Sequence, residues 1–447
     1  MRNIYKYSFI LGLVLLITSI FLLNFKLEDK TSTSKTPDEY IASYIEGEYQ
    51  TEIPGKDDGY VVDKIVCDNG ATATWNTDEW GIDIRNASKK VKCSIYFEKT
   101  TIADQITALA TKDTTNFATD DPDNNIRYIG KDPNNYIYFN CSDYANQSDE
   151  TCEKWRIIGL FNNITKEDGT KEDLVKIIRE ERLNDTNIIW DYKQTGAGTS
   201  TTANGSNDWT DSQLMMMLNP VDYLKSGYAI EGNIVKDSNG QAIYQNMGSY
   251  YNGTSGCKPS SIIKGSSFSC TSIDFTSTGL KNDLTRNAIE SVTWDLGGTA
   301  SFTSSSNGLA SHWYSYERGT VVYSAHATKW IGKIGLMYPS DYGYATAGGT
   351  ATDRINCLSK ELYKWSNATD CYNNDYLYNS EYNKWTLTPF SSIASYVFYV
   401  TASGIIDGYH NASHGAQSLQ PTLFLKSNTY ITSGDGSSSS PYQLKLQ

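Results

Sequence analysis

Two of the four histidines, His410 and His414, stand four apart. On a helix that spacing presents two imidazoles on one face, as zinc sites use. Gly408 and Gly415, with Asn and Ser in between, argue for a loop instead, and no metal centre is expected. Asp121, Asp123 and Asn125 alternate as at the start of a calcium loop, but Ile126 stands where that loop needs glycine and no terminal Glu follows at the right distance. No cofactor is therefore expected, calcium being the one ion with a partial pattern. No Gly-x-Ser-x-Gly elbow occurs, and nothing singles out a catalytic pair among the 51 Asp and Glu. The chain carries no recognisable constellation for catalysis and is not expected to be an enzyme.

The eight cysteines fall as close couples: Cys67 with Cys93, Cys141 with Cys152, Cys257 with Cys270, and Cys357 with Cys371. An even count suits an oxidising compartment, and neighbour bridging would make four local staples, although eight cysteines allow 105 pairings. Free buried thiols are the alternative. Metal ligation is disfavoured, because no Cys-x-x-Cys or Cys/His cluster occurs.

The start of the chain gives the address. Tyr7 to Phe25 is an apolar run flanked by Arg2, Lys6 and Lys26. At about 1.5 Å per residue it spans roughly 28 Å, close to a bilayer's hydrocarbon thickness, and the positive flank favours a cytoplasmic N-terminus. A cleaved signal peptide is the competing reading, but the exit Leu23-Asn24-Phe25-Lys26-Leu27 has no Ala-x-Ala pattern, and no cysteine follows to carry a lipid. A signal anchor over residues 1–26 is expected, holding the remainder outside the cell membrane as a single-pass ectodomain. The formal charge of −13 and the dispersal of 38 Lys and Arg make nucleic acid an unsuitable partner.

Residues 27–38 are Ser/Thr-rich and lack hydrophobic period, as a polar linker does. Over 39–99, runs such as Val91-Lys92-Cys93-Ser94-Ile95-Tyr96-Phe97 alternate at period two, predicting a small β module stapled by Cys67 and Cys93. Thr101 caps a helical pattern, Ile102, Ile106 and Leu109, that opens a larger region over 100–447. Within it, Trp155–Phe161 and Leu174–Ile178 read as a hairpin around Asp168-Gly169. Helices are expected from Thr210 to Leu218, with Gln213 placed for a capping box, and from Leu284 to Leu296. After residue 299, long loops between short strands are expected. The fold class is mostly β (α+β) with a few short helices.

Trp385-Thr386-Leu387-Thr388-Pro389, an aromatic strand ending in Val400, Ser403-Gly404-Ile405-Ile406 and Pro421-Thr422-Leu423-Phe424-Leu425 form the closing pattern. Together with Trp155–Phe161, Asn207–Thr210 and Gly335–Gly343, it resembles C-type-lectin-like modules of bacterial surface proteins. Those modules are related to the formylglycine-generating-enzyme fold and to the variable proteins of diversity-generating retroelements. The resemblance covers residues 100–447. It departs at Leu419-Gln420-Pro421, where relatives commonly have Val-Arg-Pro, so any ion pair of that arginine is absent.

In the variable members, loop residues between the Trp motif and the final Pro-containing strand contact ligand. On this chain the resemblance places ligand-binding candidates at Tyr396, Tyr399, Tyr409, His410, Asn411 and His414. Strand alternation implies that Tyr396 faces inward with Phe398 and Val400 while Tyr399 faces outward, or the reverse. Copper-dependent formylglycine chemistry would need two free cysteines, whereas each cysteine here has a neighbour suited to bridging. Tyr (33) outnumbers Phe (13) among abundant Ser, Thr, Asn and Gly, a mixture that suits recognition and equally suits a genome-wide bias toward Asn, Lys, Ile and Tyr. The resulting expectation is a non-catalytic surface module that binds a glycan or a protein. The alternatives are a structural envelope protein and, behind it, an extracellular hydrolase.

Overall fold

The computed structural model describes residues 39–45, 47–55, 60–76, 79–86, 90–183, 188–191, 204–219, 279–415 and 417–446, plus five short strands between 229 and 273 given as backbone. The expected anchor and linker over 1–38 lie outside the described residues. Among the described residues no helix is long and apolar enough to cross a membrane. The structure is mostly β with a few short helices, and the chain divides into two compact units meeting at Thr100 and Thr101.

In the first unit, β1 (Glu39–Ile45), β2 (Glu48–Gln50), β3 (Tyr60–Cys67) and β6 (Val91–Lys99) form a sheet in the order β2-β1-β6-β3, and β4 (Thr72–Asn76) pairs with β5 (Gly81–Arg85). Val91, Cys93, Ile95 and Phe97 on β6 are buried in strict alternation, as a half-buried strand requires. Trp75 packs edge-on against Phe97 and Trp80. Cys67 and Cys93 are register partners across β3 and β6 and are joined by a disulfide. So compact a core gains from such a staple, because it removes conformations from the unfolded chain.

The second unit opens with helix Ile102–Ala110, whose Thr101 accepts from the Asp104 N–H while the Asp104 carboxylate accepts from the Thr101 N–H. Its buried Ile102 and Ile106 face a sheet made of β7 (Phe117–Ala118), β8 (Ile126–Tyr128), β9 (Tyr136–Phe139), β10 (Glu153–Thr165), β11 (Lys171–Arg179), β19 (Ile334–Gly335) and β24 (Thr422–Phe424). The order is β19-β24-β11-β10-β8-β7, with β9 also paired to β10. The β10–β11 hairpin is the expected one, turning through Gly169 at φ +82°. A second sheet runs β22-β21-β20-β23, from Ile406–Asn411, Tyr396–Val400, Asn383–Pro389 and Gln417–Ser418. A separate hairpin joins β17 (Val292–Asp295) to β18 (Lys329–Gly332). Disulfides close Cys141 to Cys152 and Cys357 to Cys371. Cys257 and Cys270 stand on the paired strands Gly256–Pro259 and Cys270–Ile273, and their side chains lie outside the described residues.

Three expectations are corrected. The helix expected over Leu284–Leu296 stops at Asn287, and Val292–Asp295 is strand, because Trp294 donates its indole N–H to Gly332 across the hairpin and the β-branched run pairs with β18. The helix expected from Thr210 splits into a 3-10 turn, Trp209–Asp211, and helix Gln213–Leu218. Ser212 is the cap, its hydroxyl accepting from the Met215 N–H, so Gln213 is the first helical residue and not the partner in a capping box. After residue 299, helices Ala310–Glu317, Pro339–Ala345, Arg354–Leu358 and Thr369–Asn373 occupy stretches expected to be loop. Their polar and Tyr-rich sequences lack apolar period, and tertiary packing rather than propensity holds them.

Candidate functional site

The six candidates on the second sheet do not form one concavity. Alternation along β21 fails, because Val397, Phe398, Tyr399 and Val400 are all buried. The strand is covered on both faces, so Tyr399 is buried, as the second of the two expected orientations has it, but Phe398 and Val400 are buried with it instead of facing outward. Tyr399 is 2% exposed and donates its hydroxyl to Asp407. His410 stacks on it with centroids 4.6 Å apart, and His414 stacks on His410 at 4.0 Å. Gln417 clamps both imidazoles: its amide N–H donates to His410 Nδ1 at 2.6 Å and its carbonyl accepts from His414 Nδ1 at 3.0 Å. Burial, and then the neighbouring His414, hold His410 below the usual imidazole range.

Tyr409, one residue before His410, points to the other face of β22. There it is 51% exposed and lies over Phe302 and Phe390. Tyr396 meets the edge of Phe390, and Asn411 accepts from the Ser395 hydroxyl. The candidates thus divide between a buried-to-exposed ring ladder on one face and an aromatic cap on the other. Among the described residues no group of three or more His, Cys, Asp or Glu is placed to hold a metal. Asp121 accepts from Arg127 Nε at 2.6 Å and from both the N–H and the amide of Asn125. Its carboxylate is therefore occupied by protein donors.

A cleft not signalled by any sequence motif opens at one end of the seven-stranded sheet, with a volume of about 280 Å³. Phe161, Trp294, Tyr338 and Phe424 form its apolar floor, and Asp123, Asn162, Asp295, Arg318 and Lys329 bring polar groups to it. Lys176 also lines the cleft and belongs to a buried charge network that extends beneath it. Lys176 Nζ and Arg127 Nη1 both reach Asp341, the latter at 3.1 Å, and Asp341 also accepts from the Tyr338 N–H. Burial lowers Lys176 to about 8 against the pull of Asp341. Burial also pushes Asp341 upward, but Lys176 and Arg127 outweigh it and hold the carboxyl below its usual range. The Lys176 ammonium lies 4.5 Å from the centre of the Tyr338 ring and 5.5 Å from that of Trp294.

At the rim, Arg318 lies over Tyr314, its central carbon 3.3 Å from the ring centre. The Tyr314 hydroxyl donates to Asp123 at 2.7 Å. Burial raises Glu317 to about 7; its carboxyl accepts from the N–H and hydroxyl of Ser340 and does not line the cleft. Both carboxylates lining the cleft, Asp123 and Asp295, sit beside cations. The missed signal was non-local: Asp123, Trp294, Arg318 and Lys329 belong to no common motif. Compared with known proteins, the chain matches no family model, no curated protein and no solved structure.

Proposed function

We propose that this chain is a membrane-anchored surface protein whose larger unit, of C-type-lectin-like architecture, recognises a saccharide without catalysis. The anchor is the apolar run Tyr7 to Phe25, and three disulfides fit an oxidising exterior. At the position where the related modules carry arginine, Gln420 donates its amide to the carbonyls of Arg179 and Glu180, tying the closing strand to the hairpin without a charge.

One observation carries the reading: the 280 Å³ cleft combines an aromatic floor with carboxylate, amide and cationic groups at its rim. A pyranose ring presents an apolar face and a belt of hydroxyls, and such a lining offers a partner to each. The test is a glycan array probed with the purified full-length chain, with and without calcium. Binding to at least one pyranoside should appear. An array that stays blank with well-folded protein refutes the reading, and ordered self-association without ligand would favour the envelope-scaffold alternative.

A further inference from the structure

The hydrogen bonding at the cleft rim is lopsided. Asp123 is satisfied, its carboxylate accepting the Tyr314 hydroxyl at 2.7 Å. Of the rim cations, Arg318 is paired below the rim with the buried Glu317 carboxylate at 3.4 Å, whereas its contact with Asp123 and that of Lys329 with Asp295 are looser. Arg318 Nε lies 3.9 Å from Asp123, and Lys329 Nζ lies 3.6 Å from Asp295, both beyond hydrogen-bond length. The two side chains keep 26% and 61% of their exposure. Exposed pairs of this kind contribute little and are cheaply exchanged for a better anionic partner.

Arg318 is also pre-oriented. Its guanidinium lies over the Tyr314 ring, and its Nη1 donates to the Tyr314 carbonyl at 3.3 Å and to the buried Glu317 carboxylate at 3.4 Å. A guanidinium fixed in this way at a cleft mouth can meet a carboxylate with the edge these contacts leave open, at small further cost in side-chain freedom. Below it, the Lys176 ammonium is neutralised by Asp341 and contributes no free charge. The cation most open to a further anion is therefore Lys329 at the rim, with Arg318 beside it in the same lining.

From this geometry we infer that the saccharide is acidic: a carboxylated pyranose whose carboxylate pairs with Arg318 and Lys329 while its ring lies over the aromatic floor. The inference rests on the saccharide reading and narrows it. The test is calorimetric titration of the full-length chain with three pairs of methyl glycosides, each an acid and its neutral counterpart: glucuronide with glucoside, galacturonide with galactoside, and N-acetylneuraminide with its carboxyl-reduced form. At least one acid should bind about tenfold more tightly than its partner, and the preference should shrink between 50 and 300 mM salt, about the range over which screening of partly exposed charges deepens. Lys329→Gln should remove most of the preference without moving the thermal midpoint, since Lys329 is largely exposed. Arg318→Lys should keep part of it and Arg318→Gln little. Equal affinity within every pair overturns the acidic preference and leaves the saccharide reading standing. Absence of binding to all six compounds overturns this inference, and with a blank array the broader reading falls too. An acid preference unchanged in Lys329→Gln and Arg318→Gln would place the carboxylate elsewhere and equally overturn it.

Discussion

Replacing Asp341 with Asn keeps the shape of the side chain and removes the charge shared by two buried cations. In the native protein that carboxylate takes Arg127 and Lys176 and caps helix Pro339–Ala345 through the Tyr338 N–H. The two cations respond differently. Arg127 cannot shed its proton and keeps only Asp121, so it loses one charge-assisted hydrogen bond, about 2 kcal/mol. Lys176 can deprotonate, and burial has already brought it to about 8. Without Asp341 its affinity for a proton falls below neutrality, and the cost at pH 7 is capped at the free energy of moving through about one pH unit, roughly 1 kcal/mol. The expected loss is therefore about 3 kcal/mol, at the lower edge of what breaking a buried ion pair costs.

The pH dependence identifies the source. A lysine whose folded affinity for protons is lowered below its unfolded value of 10.5 penalises folding at low pH, and stability recovers as pH rises above the folded value. In the wild type that recovery starts near 8, and in Asp341→Asn it starts lower. At pH 9 Lys176 is neutral in both, so the difference between the proteins should narrow by about 1 kcal/mol between pH 7 and 9. Denaturant unfolding followed by tryptophan fluorescence reads the larger unit, since all but Trp75 and Trp80 of the ten tryptophans belong to it. A loss below about 1 kcal/mol at pH 7, or a loss that stays constant to pH 9, would refute the assignment of the network as a coupled ionic cluster.

Acid should destabilise the larger unit through two histidines. His410 accepts from Gln417 at Nδ1, and burial together with His414 lowers its affinity for protons; His326 is lowered by burial, and neither of its ring nitrogens has a hydrogen-bond partner among the described residues. Below about pH 6.5 the unfolded chain binds more protons than the folded one, so the thermal midpoint should fall between pH 7 and 5, and His410→Gln should reduce that fall; an unchanged pH slope in the variant would count against the ladder as a proton-sensitive element. Gly159 lies on β10 at its crossing with β8, where a Cβ would stand 2.2 Å from the Ile126 carbonyl oxygen. Since that neighbour is backbone and cannot rotate away, Gly159→Ala should cost about 2–3 kcal/mol in denaturant unfolding, and a loss under about 0.5 kcal/mol would disprove the close approach.

Elements built from near neighbours were legible in the residues. The alternation of Val91, Cys93, Ile95 and Phe97, the Thr101 cap, the hairpin about Asp168-Gly169 and three of the cysteine couples each depend on contacts within one or two strands or turns. Local periodicity and turn chemistry specify such contacts directly. Helices after residue 299 were not legible, because their Tyr, Ser and Asn content carries no apolar period and their burial comes from neighbours distant along the chain.

The candidate site divides the same way. His410 and His414 stood out by spacing, yet the structure stacks them against the buried Gln417 and turns Tyr409 to the opposite face. Arg127 and Asp341 are 214 residues apart, and Lys176 and Asp341 are 165 apart, so no window of sequence contains the network beneath the cleft. Composition and local pattern determined the exterior address expected of this chain and its β character. Which charges meet, and that Lys329 is left at 3.6 Å from Asp295, was decided by tertiary packing alone. The physical reason is that a Coulomb interaction depends on distance in space and on the surrounding dielectric, neither of which is written in the order of the residues.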